Sequence, residues 1–314
     1  MSDSTALLPA AREQAEDTFA QTAGARFDDA VADRAGDTGT RRPSRALAVL
    51  RRPTVVVAAV WLVIVAVAAI APSLLAPGDP LLGVPADKLL PPSAEHLFGT
   101  DQIGRDLYTR TVHGASLTLS AAAIAVGIGM LVGAVLGLVA GFTGGRVDDL
   151  IMRFADVLLA IPGLLLSLAI ITVLGFGTVN VAIAVGAASV ASVSRIMRSE
   201  VLRVRSSPFV EAAYTSGNRW LRVLLRHVLP NAIGPVLVLA VLELGGAILA
   251  VSSLSFLGYG AQPPLAEWGS LVSGGRDHLR SAWWLTTFPG IAIALTVLSA
   301  HRLSRALDTD RSDR

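Results

Sequence analysis

Glu211-Ala212-Ala213, Gly217, His227 and Leu229-Pro230 stand at fixed spacing in an arginine-rich segment between two apolar stretches. Glu243 and Asp156 are carboxylates inside or beside long apolar runs. A carboxylate there costs about 2.5–3.5 kcal/mol to insert into a bilayer, so it faces water, takes up a proton or meets a partner. Several other chemistries are excluded by residue type. Cysteine is absent, which removes thiol catalysis, disulfides and Cys-ligated metals. The five histidines, His96, His113, His227, His278 and His301, never stand four apart, so no zinc-protease pattern exists and no metal site is expected. The single lysine, Lys88, follows Pro85-Ala86-Asp87 and not a glycine loop, which excludes a P-loop for ATP phosphates. No catalytic residue is expected.

These side chains need elements to hold them, and the composition says which. Of 314 residues, 53% are hydrophobic and only 16% charged, with mean hydropathy +0.60. That is too apolar for a soluble core of this size. A net charge of +2 gives no field for nucleic acid. Residues 1–40 read as a disordered tail with eight acidic residues, and a basic cluster of Arg41, Arg42, Arg45, Arg51 and Arg52 completes a 1–53 segment of acidic tail and basic juxtamembrane stretch. Residues 54–78 then carry no charge. Roughly 20 apolar residues span a bilayer core, so 54–76 is the first transmembrane helix. An extracytoplasmic loop fills 77–113, and 114–301 forms the rest of the membrane domain. Within it, spans are expected at 114–145, 150–174, 179–198, 231–257 and 281–300. Gly175-Phe176-Gly177-Thr178 divides an otherwise charge-free run at 157–194 that is too long for one crossing. The fold class is therefore all-α: a polytopic transmembrane helical bundle of six spans with both termini on one side. Residues 302–314 form a cytoplasmic tail. With the N-terminus inside, cytoplasmic segments hold 21 basic residues and outer segments five, which sets an N-in, C-in orientation.

Two patterns within this frame carry function. Gly133, Gly137 and Gly141 recur every four residues, a spacing that allows close helix packing or lines a path. The longest inner connection, 195–231 with its core at 199–230, is patterned rather than random. Ser207 is placed to cap a helix that begins at Pro208, with Phe209, Ala212 and Ala213 on one face. Gly217 ends it, and a second helix follows. Trp220, Leu221, Leu224, Leu225 and Val228 line one side of that helix, and Arg219, Arg222 and Arg226 the other; Pro230 ends or kinks it. Such a hairpin suits either docking into a groove on a soluble partner or lying on anionic lipid. Trp268, Trp283 and Trp284 read as anchors at the outer membrane surface.

Glu211-Ala212-Ala213-x3-Gly217-x9-His227-x-Leu229-Pro230 resembles the EAA loop of ABC-importer permeases. His96-Leu97-Phe98-Gly99-Thr100-Asp101-x2-Gly104-Arg105-Asp106 resembles an element before the second span of dipeptide, oligopeptide and nickel permeases. Leu254-Ser255-Phe256-Leu257-Gly258, Pro263-Pro264 and Trp268-Gly269 are similar to a further stretch of that group. The lone span before the His96 element points to the "C" permease of a pair. The resemblance implies a non-enzymatic pore subunit in a prokaryotic cytoplasmic membrane, working with a second permease as a heterodimer. Two ATPase subunits binding ATP and Mg and an extracytoplasmic substrate-binding protein complete the implied complex. It further implies that Glu211, Ala212, Ala213, Gly217, His227, Leu229 and Pro230 couple to the ATPase. Gly99, Thr100, Asp101, Gly104, Arg105 and Asp106 form the outer loop motif. Arg105 and Asp106 either brace that loop or contact the binding protein. Asp156 is expected to pair with Arg153. Glu243 lines the path, meets the second permease or is a protonated core residue. The alternative is an ion-coupled secondary transporter using Glu243 and Asp156 as proton sites. Cargo is a dipeptide, an oligopeptide, a nickel chelate or another small solute.

Overall fold

The computed structural model describes residues 53–312. The acidic tail and basic cluster lie outside the described residues. Helix α1 is Pro53–Ile70 and α2 is Leu107–Thr143. Helices α3, Gly145–Leu159, and α4, Gly163–Leu174, form a bent pair. Helix α5 is Thr178–Arg205, and α6 is Pro208–Thr215. Trp220–Val223, α7, passes through a π-turn at Leu224–Val228 into α8, Leu229–Phe256. A short α9, Trp268–Gly275, precedes α10, Trp284–Ser312. Among the described residues five helices are long and apolar enough to cross a membrane, or six spans if the bent pair counts as one.

Several boundaries differ from the expected ones for local reasons. The second span starts at Leu107, not at 114. Asp106 caps it, accepting from Thr109 N at 2.8 Å and Thr109 Oγ1 at 2.7 Å, which satisfies an orphan donor of the first turn. The expected third span over 150–174 is not one helix. Pro162 cannot continue α3, and the chain turns by 93° into α4. Twelve residues make α4 about 18 Å long, short of a bilayer core of about 30 Å. Pro230 does not end its helix either. It has no N–H to donate, and the preceding π-turn absorbs the misfit so that the axis continues into α8.

The glycine stripe of α2 is a packing surface. A Cβ at Gly133 would lie 2.8 Å from Val190 O, one at Gly137 2.3 Å from Ser194 O, and one at Gly141 2.9 Å from Arg198 O. Helix α5 thus packs backbone to backbone along α2. Gly137→Ala is expected to destabilise the purified protein by about 1–3 kcal/mol, read as a lower melting temperature. Gly127→Ala, which meets nothing within 4 Å, is expected to leave it unchanged. Equal melting of the two variants would show that the close approach carries no energy.

Among the described residues, buried side chains form four clusters, one of them Leu107, Ala282, Trp284 and Leu285. Ala121, Ala122, Ala125, Val181, Val185, Ile248 and Val251 join α2, α5 and α8. Val65, Ala115 and Trp268 join α1, α2 and α9. Met197, Val201, Val204, Val223 and Val228 form a third core under the α6–α7 hairpin.

Candidate functional site

The hairpin is built from the ends of two long helices. Its α6 leaves α5 after Ser206, and its α7 leads directly into α8. Ser207 stands at the N-cap of α6 but donates its hydroxyl to Val204 O instead of capping the helix. Glu211, in the first turn, provides the favourable negative charge there. At the other end the Gly217 backbone reaches φ +77°, a left-handed conformation that costs other residues energy. Asn218 Nδ2 donates to Ala213 O at 3.0 Å and Ser216 Oγ to Ala212 O at 2.8 Å, which fixes the turn.

The buried face of α6 is Val210 and Ala213, not Phe209 and Ala212. Val210 and Ala213 plug into the core of Met197, Val201, Val204, Val223 and Val228. Phe209, Glu211, Ala212 and Tyr214 remain exposed. On the following helix Val223 and Val228 are buried, while Trp220, Leu221 and Leu225 are exposed. Phe142 of α2 lies 6.1 Å from the Trp220 ring, and Arg205 donates to Phe142 O at 3.0 Å. His227 is half-buried in the π-turn, and its carbonyl accepts from Asn231 Nδ2 at 2.6 Å. Leu229 and Pro230 open α8. Glu211, Ala212, Ala213 and Gly217 therefore form one small body, with His227, Leu229 and Pro230 at its root. The body seats through valines on the helices it joins and offers a mixed apolar and acidic face outward.

The membrane carboxylates part ways. Asp156 is on α3, largely exposed, and pairs with Arg195 of α5 rather than with Arg153. Glu243 is half-buried on α8 and forms no ion pair among the described residues. It lines a cavity of about 210 Å³ with Ser167 of α4, Ser189 of α5, Ala125 of α2 and Gly246. Glu243 and Asp156 are thus not one site.

The Gly99–Asp106 motif braces its own loop. Thr100 Oγ1 accepts from Leu90 N at 2.8 Å and donates to Asp87 O. Asp101 accepts from the backbones of Ile103 and Arg105 at 3.0 Å and from Arg105 Nε at 2.6 Å. Asp106, the cap of α2, also meets His96 Nδ1 at 3.1 Å. Gly99 and Gly104 both have positive φ, and a Cβ at Gly104 would sit 1.8 Å from Val84 O. Trp268 and Trp284 are not surface anchors. Both are buried, and their indoles donate to Thr111 O and Thr100 O at 2.8 and 3.2 Å. Only Trp283 of the three is exposed.

Two charged contacts have no counterpart in the sequence reading. Arg198 grips Asp148 with two bonds, 2.5 and 2.6 Å long, joining the start of α3 to α5. Glu267 is wholly buried and caps α9, accepting from Gly269 N at 3.1 Å and Ser270 N at 3.0 Å. Thr118 Oγ1 of α2 adds a third donor at 3.0 Å. Burial pushes the Glu267 carboxyl up, against the opposing pull of these donors. A raised folded value means folding takes up a proton. Stability at this site is full below the unfolded glutamate value and falls as pH rises through the folded one. Glu267→Gln is expected to remove that slope in melting curves. Glu267→Leu, which orphans the three donors, is expected to cost about 2–4 kcal/mol at low pH, a difference that narrows as wild type loses stability with rising pH. Melting of the leucine variant equal to wild type at low pH would contradict this.

Among the described residues, apolar helices of membrane-crossing length joined through a valine-seated hairpin fit a multi-pass membrane protein. The chain belongs to the family of binding-protein-dependent transport system inner membrane components, which matches residues 133–313. It is thus an ABC-importer permease. It is 42% identical to the dipeptide transport system permease protein DppC of Alkalihalophilus pseudofirmus, over 71% of this chain and 73% of that one. It is 40% identical to the probable D,D-dipeptide transport system permease protein DdpC of Escherichia coli, over 78% and 83%. The glutathione transport system permease protein GsiD of Pectobacterium atrosepticum is 38% identical over 69% and 72%. In solved structures, a crystallised amino acid ABC transporter aligns with a TM-score of 0.50 and 21% identity, over 66% of this chain and 95% of that one, which is a likeness of fold.

Proposed function

We propose that this permease forms half of the translocation pore of a peptide importer and carries ATP-driven motion into the membrane through the α6–α7 hairpin. The observation that carries this is the seating of the hairpin. Its inward residues are locked to α5 and α8 by valines, while Phe209, Glu211, Ala212 and Tyr214 face outward. A force on that face moves two long helices and not a loose loop. The ATPases bind ATP and Mg, so this chain needs neither. A second permease completes the pore as a heterodimer, and an extracytoplasmic binding protein delivers the cargo.

Peptides are the cargo favoured by the relatives, which are permeases for dipeptides, D,D-dipeptides and glutathione. A nickel chelate or another small solute is the less supported reading. The hairpin end is cytoplasmic and the Gly99–Asp106 end extracytoplasmic, in line with the arginine excess of the hairpin side. The chain then has six spans, with the bent α3–α4 pair as the third, and both termini inside. Glu243 faces the path or the second permease across the α4–α5–α8 cavity.

Affinity purification of the tagged full-length chain from its own membrane tests the assembly. A second permease and ATPase subunits are expected to co-purify. In intact cells a tag inserted after Asp87 is expected to be accessible from outside and a C-terminal reporter to be cytoplasmic. A chain that purifies alone, or a protected tag at Asp87, would contradict the proposal.

A further inference from the structure

The outer end of the bundle holds a charged cavity that loop bracing does not use up. It has a volume of about 180 Å³ and lies between the Gly99–Asp106 loop, the first turn of α2 and α9. Asp101, Gln102, Arg105, Arg110 and Ser270 line it, with Leu265 and Leu285 as apolar walls. Two guanidinium groups face one carboxylate. Asp101 Oδ2 is 2.6 Å from Arg105 Nε and 3.6 Å from Arg110 Nε. The side chain of Arg110 is only 4% exposed. One of its terminal nitrogens donates to Pro80 O at 2.9 Å. Its Nε is buried and has no hydrogen-bond partner. A buried donor of a charged group left unmade is costly, and a cavity beside it with one positive charge in excess attracts an anion.

We propose that this cavity is a carboxylate-binding site that receives the C-terminal carboxylate of the peptide as it enters the permease. The assignment rests on the reading of peptides as cargo and of this end as extracytoplasmic. The cavity has room for one terminal residue but not for a whole peptide. The planar guanidinium of Arg105, beside an Arg110 Nε–H that makes no hydrogen bond, matches a carboxylate better than a neutral amide. Leu265 and Leu285 leave an apolar wall for the terminal side chain. The site would thus engage a group that every linear peptide with a free C-terminus carries, whatever its sequence.

The test is made on the assembled transporter in nanodiscs, with the permease as wild type, Arg105→Gln and Arg105→Lys. Saturation-transfer NMR titrations use N-acetylalanine and N-acetylalaninamide as probes. The acid is expected to bind wild type about tenfold more tightly than the amide. Arg105→Gln is expected to lose that preference, and Arg105→Lys to keep part of it. Docking of the empty binding protein is expected to be the same for all three. Equal affinity for acid and amide, or no binding of either by wild type, would overturn the site. Weaker docking of the empty binding protein to Arg105→Gln would also overturn it, because the anion would then belong to that protein. ATP-driven peptide uptake by wild type is measured in parallel. If uptake is present and the preference absent, only the carboxylate site fails; if uptake of peptide is absent, the cargo reading fails.

Discussion

Glu211→Lys and Gly217→Trp are each expected to reduce ATP-coupled uptake by about tenfold or more while the chain still inserts in the membrane. Glu211 is exposed on the outward face of α6, so its reversal leaves the valine core untouched. It places a positive charge on the proposed docking face and removes a favourable carboxylate from a helix N-terminus. Gly217 has φ +77° and open space beyond it, so tryptophan there strains the turn by about 1–2 kcal/mol and projects a bulky ring toward the partner. Losing one docking hot spot is worth about 2 kcal/mol or more, which exceeds a tenfold fall in affinity. Co-purification of the ATPase and uptake by proteoliposomes read both effects. Val210→Asp is the complementary variant: it breaks the inner seat and is expected to lower stability as well as coupling. Full ATPase recruitment and full transport in Glu211→Lys and Gly217→Trp would remove the hairpin from the mechanism.

The second large effect is expected at Glu243. The cavity it shares with Ala125, Ser167, Ser189 and Gly246 is otherwise small and weakly polar. Glu243→Gln keeps shape and hydrogen bonding and is expected to lower uptake by only about two- to fivefold, a change worth under about 1 kcal/mol. Glu243→Arg puts a long cation into the same space and is expected to abolish uptake, since an unpaired charge there costs about 3 kcal/mol or more. Co-purification of the second permease separates the two places Glu243 can face. Intact assembly with lost uptake assigns it to the path; lost assembly assigns it to the interface. Glu243→Arg with wild-type uptake would show that the cavity is neither.

The long helices were legible because charge-free runs of bilayer length leave few other structures. The broken third span was not. Its residues are apolar on every side, so hydropathy runs straight across Pro162, and only the Ile161-Pro162-Gly163 punctuation marks the turn. The start of α2 was hidden for the opposite reason, because its cap, Asp106, sits in a polar loop where no periodicity shows. On α6 two apolar stripes compete: Phe209 with Ala212, and Val210 with Ala213. Spacing alone does not say which one faces in, and the smaller side chains of the second fit against α5. The pairs Asp148–Arg198 and Glu267–Thr118 are 50 and 149 residues apart, beyond any local pattern. Asp156 shows the same limit. Arg153 is the neighbour in sequence, but the bend at Pro162 carries α3 beside Arg195.

The central claim is that partner-bound ATP, acting through the hairpin, drives uptake past Glu243, and that no ion gradient does. It is tested most directly in proteoliposomes holding the complete transporter, with labelled alanyl-alanine presented on the binding protein. Uptake is measured with ATP inside and no gradient, then with a proton gradient and no ATP, for wild type and Glu243→Gln. The account predicts uptake only with ATP, modestly lower in Glu243→Gln and equally dependent on ATP. Uptake by wild type in ATP-free vesicles under a proton gradient, lost in Glu243→Gln, would contradict it and make the chain an ion-coupled carrier.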